Sequence, residues 1–467
     1  MPSVTFKSYS DRISVRRKKS LRNCLRGIYF SSRPLYIDNK RNILSTKLIP
    51  ENIFTPRADI VDDEMYIKRL ELETSLKKAI RKPKHIVLYG ESGCGKTWLY
   101  QKVFEENNIF YKVLNSATIN QCDSISNAIE LIISRIEPIE ETGYDEKKLA
   151  ETNAVILKAR VEHTKKYDKK MIESYLNLIT LIRKKAKKQK AFLVIENLEH
   201  IVKNDAMLKE LSSLVLYLDD KEYSQHNVRI LLVGTPNNLR DYFAKADETQ
   251  TVINRLQELP EVANLTDSQV RQFSNKGLFT KLKFTVIEDA KKDFNKITLL
   301  DLIIWFSTNV PQYVQDICLE LAIEAEENQG EISRNLFLKS IKNWVQEALI
   351  AENTLLAKNA NSKETRHGRR NQTIFTLGNI SSNEFSINDI ESKLRDNFFS
   401  STQNKKLNLS AILIELSTGS HPILRKTPNG TDYRFIDPKI KIMIRWMFEK
   451  LEDEQITVKK FDESLKI

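Results

Sequence analysis

Cysteine is scarce in this sequence: four of the 467 residues are cysteines, and no two of them form a C-x-x-C pair. Scattered single cysteines do not supply the frameworks of disulfide-rich secreted domains or of zinc knuckles, which argues against both classes. This usage fits a reducing, cytoplasmic setting, and we predict that localisation.

Long hydrophobic runs are also absent. A helix that crosses a bilayer needs roughly 18 or more mostly apolar residues. The longest buried-looking runs, such as residues 299–306, have only the length of core segments. The sequence therefore predicts no membrane span. With 41% hydrophobic and 29% charged residues, the chain is expected to fold as globular units.

Acidic residues are rare at the start of the chain. Residues 1–50 hold twelve basic side chains but only two acids, a net charge of +10 out of +12 for the whole sequence. Such arms often meet nucleic acid or another polyanion. An organellar transit peptide and a solvated tail without function are the alternatives. The residues predicted to contact nucleic acid here are Arg16, Arg17, Lys18 and Lys19.

What the sequence does contain is a phosphate-binding pattern. Residues 90–97 read G-E-S-G-C-G-K-T and match the P-loop pattern G-x-x-x-x-G-K-[ST]. The apolar run 85–89 predicts a buried strand before the loop, and residues 98–104 predict a helix after it. Strand, loop and helix thus follow one another in the order that a P-loop requires.

The residue types in this loop suit a nucleoside triphosphate. Its glycines let several backbone N–H groups converge on phosphate, in front of a helix N-terminus. Lys96 is expected to contact the β- and γ-phosphates, and Thr97 to supply a hydroxyl for Mg²⁺. We therefore predict ATP and Mg²⁺ as cofactors. The predicted loop contacts are Gly90, Glu91, Ser92, Gly93, Cys94, Gly95, Lys96, Thr97 and Trp98.

Polar residues end two other apolar runs. Residues 191–197 and 228–235 predict central parallel strands whose carboxyl ends face a ligand. Glu196 is placed to hold Mg²⁺. Asn197 occupies the position of the acid that usually activates the attacking water, and an amide can orient water but cannot accept its proton.

Three further residues are candidates around the γ-phosphate. Thr235, or Asn237 in the following turn, closes the strand beside the P-loop strand, where a polar side chain can touch phosphate or water. Arg255 is a candidate arginine finger that acts across a subunit boundary. An ordinary surface arginine is the alternative for Arg255.

The alternation of strands and helices predicts an α/β fold with a doubly wound parallel sheet. Residues 282–285 are a further candidate strand. The C-terminal pattern, with helices at 387–398 and 407–416, a hairpin and a helix at 440–450, is typical of a winged helix. The predicted units are a basic arm (1–50), a P-loop core (51–286), an all-helical lid domain (287–358), a polar linker (359–373) and a winged-helix domain (374–467).

The predicted winged helix offers a second nucleic-acid surface. Its hairpin carries Arg425, Lys426 and Arg434, which could lie along phosphates. Its second helix is apolar and has few side chains that read bases. Non-specific backbone contact is therefore favoured over sequence reading, and a protein-docking module is the alternative.

Taken together, these motifs resemble the prokaryotic AAA+/STAND ATPases, which are related to origin-recognition initiators and transposition-type ATPases. The resemblance covers about residues 52–445. It is carried by residues 54–57, 66–69, 90–97, 192–197, 231–236, Arg255, 309–311 and the terminal winged helix.

The resemblance implies further roles. Glu196 would hold the Walker B position, Thr235 or Asn237 would be sensor 1, and Pro311 would lie in the lid over the nucleotide. The residues that would lie near the adenine are Ile60, Val61, Tyr66 and Arg69.

This chain departs from the family pattern at several of these positions. Glu196 stands in place of the usual Asp, and Asn197 in place of the catalytic acid. Gln312 stands where many relatives have a sensor 2 arginine, and Val310 replaces the lid glycine before Pro311. These departures predict nucleotide binding with slow or regulated hydrolysis.

The predicted function is an ATP-binding, DNA-associated switch whose assembly, including homo-oligomers, responds to ATP. The alternative is a STAND-type signalling or scaffold ATPase that recruits a protein partner, in anti-phage defence or a mobile element. A steadily cycling ATPase is a third possibility, and Asn197 argues against it.

Overall fold

The structure, a computed structural model, describes most of the chain after residue 48. The chain divides into the units Met1–Lys47 and Leu48–Ile467. The described residues, all in the second unit, are 49–58, 60–136, 164–199, 201–202, 204–234, 249–360, 368–427 and 430–459. Six predicted site residues lie outside them, namely Arg16, Arg17, Lys18, Lys19, Thr235 and Asn237.

A five-stranded parallel sheet forms the middle of the structure, in the order β2-β3-β4-β1-β5. The strands are β1 (His85–Tyr89), β2 (Phe110–Asn115), β3 (Ala191–Glu196), β4 (Val228–Gly234) and β5 (Leu256–Glu258). Because the strands are parallel, their carboxyl ends share one edge of the sheet, the carboxyl edge, and their starts share the opposite amino edge. The predicted α/β parallel sheet is confirmed, and β5 is an additional strand that the sequence patterns do not indicate.

Both faces of the sheet are covered, which explains its continuous apolar runs. In β3, Phe192 and Val194 belong to one hydrophobic cluster, whereas Leu193 and Ile195 belong to the other. Helices α2 and α3 cover the first face, and helices α5, α6 and α7 cover the second. The helices of this core are α1 (Pro50–Ile53), α2 (Leu70–Ala79), α3 (Lys96–Glu106), α4 (Ser116–Gln121), α5 (Ile125–Ile136), α6 (Thr164–Ala186), α7 (Asp205–Leu216), α8 (Lys221–Ser224) and α9 (Thr249–Asn254).

A helical region follows the sheet. Its helices are α10 (Asp267–Ser274), α11 (Lys296–Ser307), α12 (Pro311–Glu327), α13 (Arg334–Ala348) and α14 (Ile350–Asn359), with a π-helical segment at Asn275–Lys281. It begins earlier than the predicted residue 287. The predicted strand at 282–285 is wrong in place, because β6 (Thr285–Val286) pairs with β7 (Glu331–Ile332) and not with the central sheet.

The C-terminal region contains the predicted helices and hairpin. Its elements are α15 (Arg369–Asn379), α16 (Ile387–Asn397), α17 (Phe399–Thr402), α18 (Leu409–Thr418), β8 (Leu424–Lys426), β9 (Tyr433–Phe435), α19 (Pro438–Met447), β10 (Phe448–Lys450) and β11 (Ile456–Val458). Strands β8 and β9 form an antiparallel hairpin, named here the C-terminal hairpin. Part of the predicted linker is helical, since α15 begins at Arg369, and a second hairpin, β10–β11, replaces the end of the last predicted helix.

The helical region and the C-terminal region share one hydrophobic core. Their buried residues form a single cluster that also includes Ile53 and Phe54. The ring of Phe306 in α11 lies 6.1 Å from that of Trp446 in α19. The predicted boundary between lid and winged helix therefore does not separate two cores. Among the described helices, none has both the length and the apolar character needed to cross a bilayer.

Candidate nucleotide site at the carboxyl edge

The P-loop joins the end of β1 to the start of α3. Gly93 and Gly95 have φ angles of +77° and +87°, a left-handed conformation that glycine adopts without strain. A Cβ on Gly90 would lie 2.5 Å from the carbonyl oxygen of Val262, so that position also requires glycine. The loop thus bends tightly in front of the N-terminus of an 11-residue helix, where an anion is favoured.

Lys96 lies across this loop. Its Nζ donates hydrogen bonds to the carbonyl oxygens of Gly90 and Glu91, both at 2.8 Å. The side chain is half-buried, and its ammonium group is held at the mouth of the loop. This position suits the predicted role of Lys96 as a phosphate ligand.

The two predicted metal ligands lie next to each other. Thr97 Oγ1 donates to Glu196 Oε1 at 2.9 Å, and the hydroxyl of Tyr100 donates to the same oxygen at 3.1 Å. Burial and the Glu196 carboxylate raise the pKa of Tyr100 well above its usual value, so its proton stays in place. A hydroxyl and a carboxylate side by side are oxygen donors of the kind that Mg²⁺ prefers. These residues therefore fit the implied ion.

Asn197 adopts a left-handed conformation, with φ of +57°, directly after β3. Its side chain is exposed, and its Nδ2 donates to Asn115 Oδ1 at 3.4 Å. Asn115 ends the neighbouring strand β2, where it is paired with Glu196. The position next to Glu196 is thus occupied by two neutral amides, and Asn115 is a site residue that the sequence patterns do not indicate.

The start of the lid helix α12 contacts the P-loop. The backbone N–H of Gln312 donates to the Gly93 carbonyl at 3.2 Å. Pro311 begins the helix, and its Cγ lies 3.9 Å from the position that a Cβ on Gly95 would take. Val310, which replaces the expected glycine, is fully buried. Pro311 thus lies beside the loop, and its contact with a nucleotide remains a prediction.

Two predicted site residues fix the segment before the P-loop, namely Trp98, a predicted loop contact, and Tyr66, which is predicted to lie near the adenine. The Trp98 indole N–H donates to the Ala58 carbonyl at 3.0 Å, and the Tyr66 hydroxyl donates to Glu73 at 3.0 Å. Ile60, in contrast, is 74% exposed. An adenine-binding role for Ile60 and Tyr66 remains a prediction.

Arg69 is closer to the phosphate loop than its implied role suggests. Its Nη2 lies 3.5 Å from the position that a Cβ on Gly95 would take, and its Nη1 donates to the Ala263 carbonyl at 3.0 Å. Burial lowers the pKa of its guanidinium from the usual value. Arg69 therefore adds a second positive group to the loop beside Lys96. The sequence before α2 offers no signal for this contact.

Arg255 lies at the other edge of the sheet. It directly precedes β5, and its carbonyl accepts a hydrogen bond from the N–H of His85 at the start of β1. Its guanidinium forms an ion pair with Asp219 and donates to the Thr251 carbonyl at 2.6 Å. Arg255 therefore does not join the nucleotide site of its own chain, and a role across a subunit boundary remains a prediction.

The C-terminal hairpin is held against the P-loop by ion pairs. Arg425 Nη2 lies 2.5 Å from Glu91 Oε1. Arg434 donates to both carboxylate oxygens of Glu261 at 2.9 Å, and its Nη1 lies 3.3 Å from Glu91. Arg434 also pairs with Glu384. Burial opposes the charge of Arg434, but the carboxylates of Glu261 and Glu384 outweigh it and raise its pKa.

These ion pairs bear on the predicted nucleic-acid contacts. Arg425 and Arg434 are engaged by carboxylates of the same chain, whereas Lys426 between them is exposed. The carboxylates that engage these arginines lie beside the nucleotide site. Glu91 belongs to the P-loop, and Glu261 belongs to the segment after β5. Of the three predicted hairpin residues, Lys426 is the one that the described structure presents to solvent.

The core matches a known family. Residues 80–243, which include the P-loop, β3 and β4, match the family described as AAA domain. The comparison with curated proteins found no match.

Solved structures of similar fold include a Walker-type ATPase of Pyrococcus abyssi, at 16% identity and a TM-score of 0.46, covering 86% of this chain and 99% of that chain. The ORC2 protein of Aeropyrum pernix in its ADP form is 12% identical with a TM-score of 0.44, covering 85% and 96%. The ORC1 protein of Aeropyrum pernix in complex with DNA is 12% identical with a TM-score of 0.40, covering 84% and 94%.

Proposed function

We propose that this protein is an ATP-binding switch of the AAA+ type, in which the nucleotide site is coupled to the C-terminal hairpin. The observation that carries this proposal is the ion pair between Arg425 of the hairpin and Glu91 of the P-loop. One loop holds both the groups expected to bind phosphate and the carboxylate that holds the hairpin. A change in the charge or conformation of the P-loop therefore alters the ion pair that holds the C-terminal hairpin.

Electrostatics gives this coupling a direction. An uncompensated Glu91 carboxylate inside a phosphate-binding loop would repel a triphosphate. With the hairpin docked, Arg425 and Arg434 neutralise Glu91, so docking favours nucleotide binding. By reciprocity, bound nucleotide favours the docked hairpin.

The proposed binding groups are Lys96 and Arg69 for phosphate, and Thr97 and Glu196 for Mg²⁺. Mg²⁺, when bound, would neutralise part of the negative charge of the phosphates. Tyr100 fixes the orientation of the Glu196 carboxylate through its hydrogen bond to Oε1. Pro311 and Gln312 cover the loop from the lid side.

We propose that hydrolysis is slow or depends on a partner. Asn197 and Asn115 can orient a water molecule, but neither amide can accept its proton. The protein then holds ATP for long periods, which suits a switch better than a steadily cycling enzyme. A partner that supplies a base, or the Arg255 of a neighbouring copy, would raise the rate.

We further propose that the switch is DNA-associated. The support is the net charge of +12, most of it in residues 1–50, together with the exposed Lys426. The elements α16, α18 and the C-terminal hairpin, with Phe385 bridged to Tyr433, are proposed to form a winged helix.

A protein-recruiting scaffold is the second candidate, and α18 favours it. This helix has no basic residue, and Ile414 on its surface is 52% exposed. Such a face suits a protein better than the edges of bases. The readout that separates the two candidates is ATP-dependent capture of a protein partner without any DNA affinity.

Calorimetric titration with Mg–ATP tests the proposal. The variant Arg425→Ala/Arg434→Ala is expected to bind Mg–ATP about tenfold more weakly than wild type, since a charged hydrogen-bonded contact is worth about 1.5 kcal/mol or more. Lys426→Ala, on the same hairpin, should bind as wild type does. Equal affinity in the double variant would remove the coupling, and no affinity in wild type would remove the nucleotide site itself.

A further inference from the structure

A basic groove lies at the amino edge of the sheet, away from the P-loop. It has a volume of about 1030 Å³ and is formed by the end of α2, the turn before β2 and the turn between α6 and β3. Its floor is apolar, with Ile80, Ile109 and Ala186 all buried. The basic side chains that line it are Lys77, Arg81, Lys185, Lys187, Lys188 and Lys190.

Much of this charge is not compensated within the described residues. Lys77 pairs with Glu106 at 2.9 Å, but no acidic side chain is among the described residues that line the groove. Arg81, Lys187 and Lys188 are exposed, and no described carboxylate lies within ion-pair distance of them. Three positive charges from two separate segments therefore face the same groove.

Stabilisation of helix ends does not account for Arg81, Lys187 and Lys188, whose side chains donate to no carbonyl of the described residues. Lysines often follow a helix because its last carbonyls attract cations. At α6, Arg183 donates to the carbonyls of Lys187 and Gln189, just beyond the end of the helix, at 3.1 and 2.8 Å. At α2, the Ile80 carbonyl that follows the helix accepts hydrogen bonds from Arg229 at 2.7 Å and from Lys190 at 3.4 Å.

We propose that this groove binds the phosphate backbone of nucleic acid. Apart from Lys77, its basic side chains are exposed on an open surface, which suits an extended polyanion better than a small anion that would be enclosed. Lysine is a flexible point charge, which favours contact with phosphates over recognition of bases. Asn107, Asn108 and Gln189 add amide groups to the same surface.

This inference shares with the proposed function only the expectation that the chain meets DNA. The groove and the nucleotide site lie at opposite edges of the sheet, so the two affinities can be removed separately. The groove also differs from the predicted contacts in the first residues and in the hairpin.

The test uses the full chain with Arg16, Arg17, Lys18 and Lys19 changed to Ala, so that this cluster does not mask the groove. In that background, Arg81→Glu/Lys187→Glu/Lys188→Glu is compared with the control Lys209→Glu/Lys283→Glu/Lys291→Glu, which reverses three other exposed lysines. Binding to a fluorescein-labelled duplex is measured by anisotropy at several salt concentrations, and Mg–ATP binding by calorimetry.

The groove variant is expected to bind DNA about tenfold more weakly for each phosphate that it no longer neutralises near 0.1 M salt. Its plot of log K against log salt should be shallower by about 0.9 for each such phosphate. The control should keep wild-type DNA binding, and both variants should keep wild-type Mg–ATP affinity and thermal stability. Equal weakening in groove variant and control would overturn the proposal, and so would DNA binding unchanged by the groove variant. Preference for poly-glutamate over DNA would also overturn it, in favour of an acidic protein.

Discussion

Two groups of basic residues at opposite edges of the sheet differ in whether carboxylates of the described residues neutralise them. At the carboxyl edge, Arg425 and Arg434 are held by carboxylates, among them Glu91 of the P-loop. At the amino edge, Lys187 and Lys188 face solvent without a described acidic partner. A basic residue in a sequence thus indicates a polyanion surface only where the fold leaves its charge uncompensated.

A basic residue can also be buried, instead of being paired with a carboxylate or exposed to solvent. Lys441 in α19 is 5% exposed, and its Nζ donates to the Ser381 carbonyl at 3.3 Å. Burial, with a further contribution from the charge of Arg445, lowers the pKa of Lys441 to about 7.

The largest effect is expected at the carboxyl edge from Lys96→Ala. It removes a charged donor from the phosphate loop, and we expect Mg–ATP affinity to fall about a hundredfold, since charged hydrogen bonds contribute about 1.5–3 kcal/mol each. The matched control is Lys102→Ala on the same helix, whose side chain pairs with Asp63 at 2.7 Å. Calorimetry that found equal affinity in both variants would contradict the assignment of Lys96.

Arg434→Ala tests whether the hairpin charge is structural. It leaves Glu261 without its compensating charge in a partly buried site, whereas Glu91 keeps its ion pair with Arg425. We expect the free energy of unfolding to fall by about 2 kcal/mol, below the range for fully buried pairs because Glu384 is partly exposed. Lys426→Ala on the same hairpin should change it by less than about 0.5 kcal/mol. Similar urea unfolding of the two variants would mean that the ion pairs do not hold the hairpin.

Asn197→Glu tests whether a missing base limits hydrolysis. A carboxylate beside Glu196 can accept the proton of water, so we expect the rate of phosphate release to rise at least about tenfold. Asn197→Ala is the control, and it should not raise the rate. A wild-type turnover of about 1 s⁻¹ or faster, typical of enzymes, would show that the Asn197 amide does not limit the rate of hydrolysis.

Lys441 makes the stability of the fold depend on pH. Its folded pKa of about 7 lies below the unfolded value, so the unfolded chain binds more protons between about pH 7 and 10. Stability should therefore rise with pH in that window, by up to about 1.4 kcal/mol for each pH unit. Lys441→Met should flatten this rise in urea unfolding measured at pH 7, 8 and 9. A wild-type curve parallel to that of the variant would contradict the buried neutral amine.

Continuous apolar runs and the P-loop pattern make most of the core predictable. Strands β1, β3 and β4 are predictable because both of their faces are buried, and the P-loop is predictable from its pattern. Strand β5 gives no such signal because its three residues include Gln257 and Glu258, and its place comes from pairing with β1. The start of α15 has the polar composition of a linker, so the sequence does not predict a helix there. In the structure, its polar residues Gln372 and Thr373 are buried. They are satisfied by hydrogen bonds, among them Gln372 Nε2 to the Glu454 carbonyl at 2.9 Å.

The contacts that define the coupling cannot be predicted from the sequence. Glu91 and Arg425 are 334 residues apart, and no local pattern links them. The same holds for the groove, where the 77–81 and 185–190 segments meet only in the fold. The sequence locates the phosphate-binding groups, whereas the availability of each basic residue depends on long-range packing.

Hydrogen–deuterium exchange in the C-terminal hairpin tests the central claim most directly. We predict that saturating Mg–ATP slows exchange of the backbone amides of β8 and β9 in wild type, and that this slowing disappears in Glu91→Gln, whose loop no longer carries the charge that the arginines neutralise. Hairpin exchange that does not change while Mg–ATP is bound to wild type would contradict the coupling between the P-loop and the hairpin.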